Sequence, residues 1–232
     1  MKLRLLPVIA LAAAAFFGSP FAAVRAEEGG DKIFDGKTLD GWKGNEKFWS
    51  VKDGAITGQT TADNPTQGNT FLIWQGGEIG DFELRLKFRI VGGNSGIQYR
   101  SVDKGNHVVH GYQADIDAGL GFMGILYEEG GRGILAGRGK KVEISSDGEK
   151  KEVGKTAEEK EILDSLKKED WNEYVVIAKG NHLQQKINGH TTIDLTDNQN
   201  GKARESGILA LQLHAGPPMT VQFKDIELKK LK

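Results

Sequence analysis

The stretch Asp81-Phe82-Glu83-Leu84-Arg85-Leu86-Lys87-Phe88-Arg89-Ile90 alternates without a break between charged and apolar side chains. Successive side chains of a strand point to opposite faces of a sheet, so this period of two predicts a long strand with one buried face. Further runs of this kind occur at Phe71–Trp74, Gly96–Ser101, Tyr112–Asp117, Glu173–Ala178, His182–Ile187, Thr191–Leu195, Ile208–His214 and Val221–Lys229. Turn sequences separate the runs, and one of them, Asn188-Gly189, is typical of a type I′ hairpin.

Many strands with almost no helical periodicity predict an all-β fold, a β-sandwich of two packed antiparallel sheets. One short helix is expected near residues 157–168, where Thr156 and Glu159 have capping-box spacing. This helix closes a stretch rich in lysine and glutamate, residues 139–170, which we interpret as a solvated insertion. The sequence shows no repeat and no second domain, so we predict a single domain over residues 27–232.

The composition excludes several functional classes. The chain has no cysteine, which rules out a disulfide scaffold, a cysteine nucleophile and cysteine ligands to a metal. The formal net charge of −1 argues against electrostatically driven binding of nucleic acid. The 32 glycines are spread along the chain among only 5 prolines, which indicates a turn-rich globular domain.

The first residues have the pattern of a secretory signal peptide. Lys2 and Arg4 precede the apolar run Leu5–Phe17, and Ala26 ends a stretch of small residues at which cleavage fits. The apolar run is short for a bilayer about 30 Å thick, and a retained interfacial anchor is the alternative. We therefore predict a signal peptide over residues 1–26 and a secreted or periplasmic bacterial protein without a membrane partner after cleavage.

Strand parity also predicts which polar side chains share a face. If the apolar positions of each run are buried, the side chains that point outward include Glu83, Gln98, Arg100, Gln113, Asp115 and His214. A curved sheet would gather such side chains from adjacent strands into a groove for a polar ligand. An ordinary solvated face is the alternative, and a single bulge would reverse the contribution of a strand.

Two glycine-rich segments carry further candidate ligand contacts. Gly92–Gly96 predicts a tight turn between strands and matches neither a Walker nor a Rossmann motif, since no helix follows it. Its Asn94 is a candidate contact to a ligand. Arg132, in the loop Gly130–Gly133, is a candidate guard of the groove.

A divalent metal ion is the one cofactor that the sequence leaves open. Asp115 has the carboxylate, and His107 and His110 have the imidazoles, that first-row divalent ions accept. The spacing of the histidines matches no specific zinc motif.

Eight short motifs in a fixed order resemble those of a known family. They are Ile33–Trp42 (IFDGKTLDGW), Trp49–Ile56 (WSVKDGAI), Gly80–Leu84 (GDFEL), Gly93–Ile97 (GNSGI), Gly111–Ile116 (GYQADI), Trp171–Tyr174 (WNEY), Ile187–Gly189 (ING) and Phe223–Ile226 (FKDI). Together they resemble the 3-keto-disaccharide hydrolase family, formerly a domain of unknown function, over roughly residues 31–231. The resemblance implies a concanavalin A-like jelly roll, in agreement with the strand pattern.

The resemblance further implies an enzyme, a glycoside hydrolase or lyase, that cleaves 3-keto-glycosides or 3-keto-disaccharides. A ketone at C3 acidifies the proton on C2. A base removes that proton, a cation stabilises the enolate, and the C1 substituent leaves by elimination or is replaced by water. Under this reading the base is Asp115 or His214, and the enolate is stabilised by Arg100 or by a metal at Asp115 and His214. Glu83 is an acid or a ligand, and the substrate-binding candidates are Gln98, Gln113, Asn94 and Arg132.

Two other functions are compatible with the same sequence. The first is a non-catalytic, lectin-like module that binds carbohydrate, because one fold serves both roles. The second is an ordinary glycoside hydrolase. A retaining hydrolase needs two carboxyl groups about 5–5.5 Å apart. Asp115 and Asp117 are the candidates, but Asp117 leads into Ala118-Gly119, which predicts a turn and disfavours this mechanism. All three functions imply a carbohydrate partner.

Overall fold

The strand predicted at Phe82–Ile90 lies in the middle of a large sheet. A computed structural model describes residues 29–232, so the predicted signal peptide lies outside the described residues. The strands are β1 Asp31–Lys32, β2 Trp42–Lys43, β3 Trp49–Lys52, β4 Ala55–Thr60, β5 Thr70–Trp74, β6 Phe82–Val91, β7 Asn94–Asp103, β8 Val109–Asp117, β9 Leu126–Glu129, β10 Gly133–Ala136, β11 Lys140–Ile144, β12 Lys150–Lys155, β13 Asn172–Lys179, β14 His182–Ile187, β15 His190–Asp197, β16 Ile208–Leu213 and β17 Met219–Lys230. One helix, α1, spans Glu159–Asp164.

The strands form two sheets, which confirms the predicted all-β sandwich. The ten-stranded sheet has the order β12-β11-β15-β14-β13-β6-β17-β4-β3, with β1 paired to β17. The seven-stranded sheet has the order β10-β9-β8-β7-β16-β5-β2. Neighbouring strands are antiparallel, except that β11 runs parallel to β15.

The core lies between the two sheets and follows the predicted alternation. In β6 every apolar side chain from Phe82 to Ile90 is buried, whereas Arg85 and Lys87 are exposed. Aromatic rings join the sheets, since Phe82 of β6 makes an edge-to-face contact with Tyr99 of β7 at 6.1 Å between ring centroids. Burial of apolar side chains is therefore what holds the sheets face to face.

The hairpin between β14 and β15 turns at Asn188-Gly189, as predicted. Both residues have positive φ angles, 48° and 85°, which the mirror-image turn requires. The Asn188 side chain also donates a hydrogen bond to the Ser165 carbonyl oxygen at 2.8 Å, which ties the hairpin to the segment after α1.

Residues 139–170 contribute more structure than a solvated insertion. They include β11 and β12, which extend the ten-stranded sheet at one edge. The helix is shorter than predicted, and the capping box does not form. Glu158 is the N-cap without a side-chain hydrogen bond, because the Thr156 hydroxyl donates to the Thr191 carbonyl oxygen instead. Within residues 29–232, no helix has the length and apolar character needed to cross a membrane.

Candidate functional site

The face of the seven-stranded sheet that points away from the core carries a group of buried polar side chains. In β8, Tyr112, Ala114 and Ile116 belong to the core, so Gln113 and Asp115 lie on the opposite face. The register of β7 and β8 pairs Gln98 with Gln113 and Gly96 with Asp115. Gln212 of β16 joins the same face, because its neighbours Leu211 and Leu213 are in the core. We call this surface the polar face.

Gln113 is the centre of the hydrogen-bond network on the polar face. Its Nε2 donates to Asp115 Oδ1 at 2.5 Å, and its Oε1 accepts from Gln98 Nε2 at 2.7 Å and from Gln212 Nε2 at 2.9 Å. Gly96 leaves the space for this side chain, since a Cβ at Gly96 would lie 2.5 Å from the Gln113 Cγ. Both ends of the Gln113 amide are therefore fixed, and one carboxyl oxygen of Asp115 is fixed with them.

The network continues to strands that are distant in the sheet. Gln212 Nε2 also donates to Glu129 Oε2 at 3.2 Å, and Asn69 Nδ2 donates to Glu129 Oε1 at 3.3 Å. Asn69 immediately precedes β5, and β8, β7 and β16 lie between β5 and β9 in the sheet. Four strand spacings separate the two strands, about 19 Å in a flat sheet. The side chains can meet only because the sheet is curved, so the polar face is concave.

Burial controls the titration of Asp115. It raises the pKa of this carboxyl group from 3.8 to about 7, and the hydrogen bonds from the Gln113 and Asn94 side chains oppose the rise. The nearby carboxylates of Asp117 and Glu129 add to the rise. A buried carboxyl group that changes charge near neutral pH is a candidate for general base catalysis.

His214 follows the last residue of β16 at the rim of the polar face. Its Nδ1 lies 2.5 Å from the Ala215 carbonyl oxygen. A carbonyl oxygen can only accept, so Nδ1 carries the proton and Nε2 is the basic nitrogen of the neutral ring. The Ala215 N–H donates to Asn69 Oδ1 at 3.1 Å, which joins this segment to the network.

A cleft of about 260 Å³ lies at the end of the polar face where β8 begins. Its lining includes Glu129, and also Lys104, Lys202 and Arg204. Glu129 therefore connects the buried network to an open space with basic side chains. Tyr127 of β9 pairs with Gln113 of β8, so it lies on the same face. Its side chain is half-buried. Tyr127 has the flat apolar surface on which a sugar ring can stack.

The prediction that Arg100 shares the polar face is wrong. The register of β7 and β8 shifts between Tyr99 and Val102, and Arg100 has a φ of 46° at this bulge. The bulge turns the side chain to the end of the sandwich, where it is fully buried. There it donates to the carbonyl oxygens of Gly80, Gly180 and Arg204 and forms a 3.0 Å ion pair with Asp81.

Glu83 and Arg132 also lie away from the polar face. Glu83 is on the outer face of the other sheet, where it forms a 3.2 Å ion pair with Arg85. Arg132 forms ion pairs with Glu128 at 2.5 Å and Asp197 at 2.7 Å. Its donors are used within the protein, so its arrangement is that of a structural ion-pair network.

The structure thus brings together Asp115, Gln113, Gln98 and Asn94, with His214 at the rim. Sequence reasoning missed Glu129 and Asn69 and did not include Gln212 among the site residues. Gln212 lies two residues before His214, so the alternation of the strand places both on one face and could have identified it. Glu129 has none, because Glu128 and Glu129 are adjacent in a four-residue strand, and alternation cannot show which of them faces the ligand.

No group of three or more His, Asp or Glu side chains within residues 29–232 is arranged to hold a metal ion. His107 and His110 do not complete such a group with Asp115. The divalent metal site thus stays a prediction from the sequence, and we derive no step through a metal.

A comparison with models of known protein families shows the family to which this chain is related. The model of the 3-keto-alpha-glucoside-1,2-lyase-like domain matches residues 29–229. The chain belongs to this family. The match covers every strand of both sheets except the last residue of β17, so the polar face lies wholly inside the family domain. No curated protein matches the sequence.

Solved structures of low sequence identity share the fold of this family member. Two candidate glycosyl hydrolases from Parabacteroides distasonis ATCC 8503 are each 18% identical. One has a TM-score of 0.57 and aligns over 88% of this chain and 95% of its own. The other has a TM-score of 0.55, over 84% and 96%. The carbohydrate-binding module CBM66 from Bacillus subtilis is 14% identical, with a TM-score of 0.55 over 82% and 96%. The sandwich is therefore one found in carbohydrate-active and carbohydrate-binding proteins alike.

Proposed function

We propose that this protein cleaves glycosides oxidised to a ketone at C3, by removing the C2 proton and expelling the C1 substituent. The observation that carries the proposal is Asp115, a carboxyl group that is 5% exposed on the polar face and whose pKa is raised to about 7. The chain belongs to a family described as 3-keto-alpha-glucoside-1,2-lyase-like, and that description supports the choice of substrate.

Asp115 has the position and the protonation behaviour of the base. Gln113 occupies its Oδ1, which leaves Oδ2 to accept the C2 proton. A base with a pKa near the working pH is both deprotonated and strong enough to attract the proton. As the C–H electron pair moves toward C3, negative charge develops on the ketone oxygen. We assign as its donor the second N–H of the Asn94 amide, the first being bonded to Asp115.

His214 completes the proposed mechanism as the acid. Its Nδ1–H is held by the Ala215 carbonyl oxygen, so when the ring is protonated the second proton is on Nε2, and it passes to the C1 oxygen as the C1–O bond breaks. The product is a sugar with a C1–C2 double bond, to which water can then add. The proposed mechanism gives no role to Arg100 and Glu83, because both side chains bond to groups away from the polar face.

The test is release of a chromogenic aglycone from a 3-keto-glucoside. We expect Asp115→Asn to reduce the rate at least about 100-fold, because general bases contribute 10²–10⁴-fold. Asp53→Asn is the matched control: Asp53 is exposed, and it lies in a turn of the other sheet. Equal rates for the two variants, or no release by folded wild-type protein, would overturn the proposal.

A carbohydrate-binding module is the second candidate function. On the polar face, the buried Gln212 Oε1 has no hydrogen-bond partner among the described residues, so it is an acceptor for a sugar hydroxyl group. CBM66 shows that this sandwich serves a module that binds carbohydrate. This function predicts binding of a glycan with no turnover of its 3-keto form. Ordinary retaining hydrolysis is less favoured, because Asp117 accepts backbone N–H bonds from Gly119 and Phe122 in the loop after β8.

A further inference from the structure

The outer face of the ten-stranded sheet carries an aromatic ring between two cations. Trp171 immediately precedes β13, whose register with β6 places it beside Arg89. The Arg89 Cζ lies 5.2 Å from the centroid of the Trp171 ring, and the Lys224 Nζ of β17 lies 4.1 Å from it. All three residues are partly exposed to solvent. We call this group the Trp171 platform.

The two cations of the platform lack acidic partners. Within residues 29–232, neither Arg89 nor Lys224 has a carboxylate oxygen within 4.0 Å, whereas the neighbouring Lys87 is paired with Asp225 at 2.9 Å. Lys224 lies directly opposite Lys87 in the register of β6 and β17. Like charges at directly opposite positions destabilise a sheet. The platform thus carries two cations that no carboxylate among the described residues neutralises.

Hydrogen bonds orient Arg89 without neutralising it. Its Nε donates to Gln222 Oε1 at 3.0 Å, and Gln222 Nε2 donates to the Thr57 hydroxyl at 3.0 Å. The guanidinium group is therefore fixed by a series of hydrogen bonds to uncharged side chains, which extends across β6, β17 and β4. Among the described residues, the indole N–H of Trp171 has no acceptor. It is also not one of the buried polar atoms that lack a hydrogen-bond partner. Three kinds of donor thus surround one flat apolar ring.

We propose that the Trp171 platform binds a sugar that carries a carboxylate, as in a chain of uronic acids. The guanidinium and ammonium groups that lie over the ring pair with the carboxylate, while the indole N–H at the ring edge donates to a sugar oxygen. The ligand is a carbohydrate because the protein belongs to a carbohydrate-active family.

This site is separate from the polar face, because the two lie on different sheets. It therefore adds a binding function that holds whether the polar face is catalytic or not. An enzyme with such a site would retain acidic glycan chains near its surface while another part of the molecule acts.

Calorimetric titration with a galacturonic acid oligomer tests the proposal. We expect Lys224→Ala to weaken binding about tenfold, since a hydrogen bond to a charged group contributes about 1.5–3 kcal/mol. Lys179→Ala is the matched control. It removes one positive charge from an exposed position on the same face, about 26 Å along β13. We expect this control, and Asp115→Asn, to bind as the wild type does.

The methyl ester of the same oligomer separates the charge from the sugar ring. We expect the ester to bind at least about tenfold more weakly, and higher salt to weaken binding of the acid only. Trp171→Phe keeps an aromatic ring and should retain more affinity than Trp171→Ala, with folding of each variant checked by circular dichroism. Equal affinity for acid and ester, or equal effects of Lys224→Ala and Lys179→Ala, would overturn the proposal.

Discussion

Gln113 donates to Asp115 over 2.5 Å while its own carbonyl oxygen is held by two other glutamine side chains. This bond stabilises the charged form of Asp115 and opposes the effect of burial on its pKa. In the proposed mechanism Gln113 is therefore a positioning residue, which acts on the substrate through Asp115.

Replacing Gln113 by leucine should shift the pH profile of the enzyme. Without the hydrogen bond the pKa of Asp115 rises further, so more base is protonated at a given pH. We expect the acid limb of the kcat/KM profile to move to higher pH and the plateau rate to fall. Gln184→Leu is the control, because Gln184 bonds to Asp194 on the other sheet. An unmoved acid limb would contradict the assigned role.

Activity should increase with pH up to about 7, as Asp115 loses its proton. The base must be deprotonated to accept the C2 proton, and the pKa of Asp115 is about 7. The measurement is kcat/KM between pH 5 and 9, flanking that pKa. A profile that is flat across this range would contradict Asp115 as the base.

The same carboxyl group should make the folded protein less stable as pH rises. The pKa of Asp115 is raised on folding, from 3.8 to about 7, so the native state binds the proton more tightly than the unfolded chain. Stability is therefore lost as pH rises from about 4 to about 7, by up to about 4 kcal/mol at 1.36 kcal/mol per pKa unit. Denaturant unfolding should show that Asp115→Asn, which cannot ionise, is more stable than the wild type above pH 7 and close to it near pH 4. Asp53→Asn should show no such pH dependence.

Gly96→Ala should reduce activity by displacing Gln113. The added Cβ would lie 2.5 Å from the Gln113 Cγ and 2.6 Å from its Cδ, so the side chain must move and release Asp115. We expect a loss of at least about tenfold in kcat/KM, equivalent to about 1.4 kcal/mol. Gly68→Ala is the control, since a Cβ there meets no atom within 4 Å. Equal kinetics for the two variants would show that the network tolerates the displacement.

Leu86→Ala tests the core that positions the sheets. Leu86 is 1% exposed between the sheets, and such truncations cost about 2–5 kcal/mol. Arg85→Ala, at an exposed neighbouring position on the outer face, should cost less than about 1 kcal/mol even though it removes surface ion pairs. Urea unfolding of both variants measures the difference.

Alternation in the sequence predicts the strands and the faces wherever the ladder is regular. Gln98, Gln113 and Asp115 lie where parity places them, because β7 and β8 stay in register from Asn94 to Tyr99. Arg100 does not, since the bulge that follows is a tertiary feature with no period of its own. Glu129 could not be predicted either, because its contact with Asn69 depends on the curvature of five strands that are far apart in the sequence.

Arg100 joins the two sheets at one end of the sandwich. Its guanidinium group bonds to Gly80 and Gly180, which adjoin strands of the ten-stranded sheet, and to Arg204, which precedes β16 of the other sheet. This one side chain thus holds the two sheets together at this end of the sandwich. At the opposite end the chain itself joins the sheets, because only Gly92 and Gly93 lie between β6 of one sheet and β7 of the other. The two layers are therefore held at both ends, by a side chain at one and by the backbone at the other.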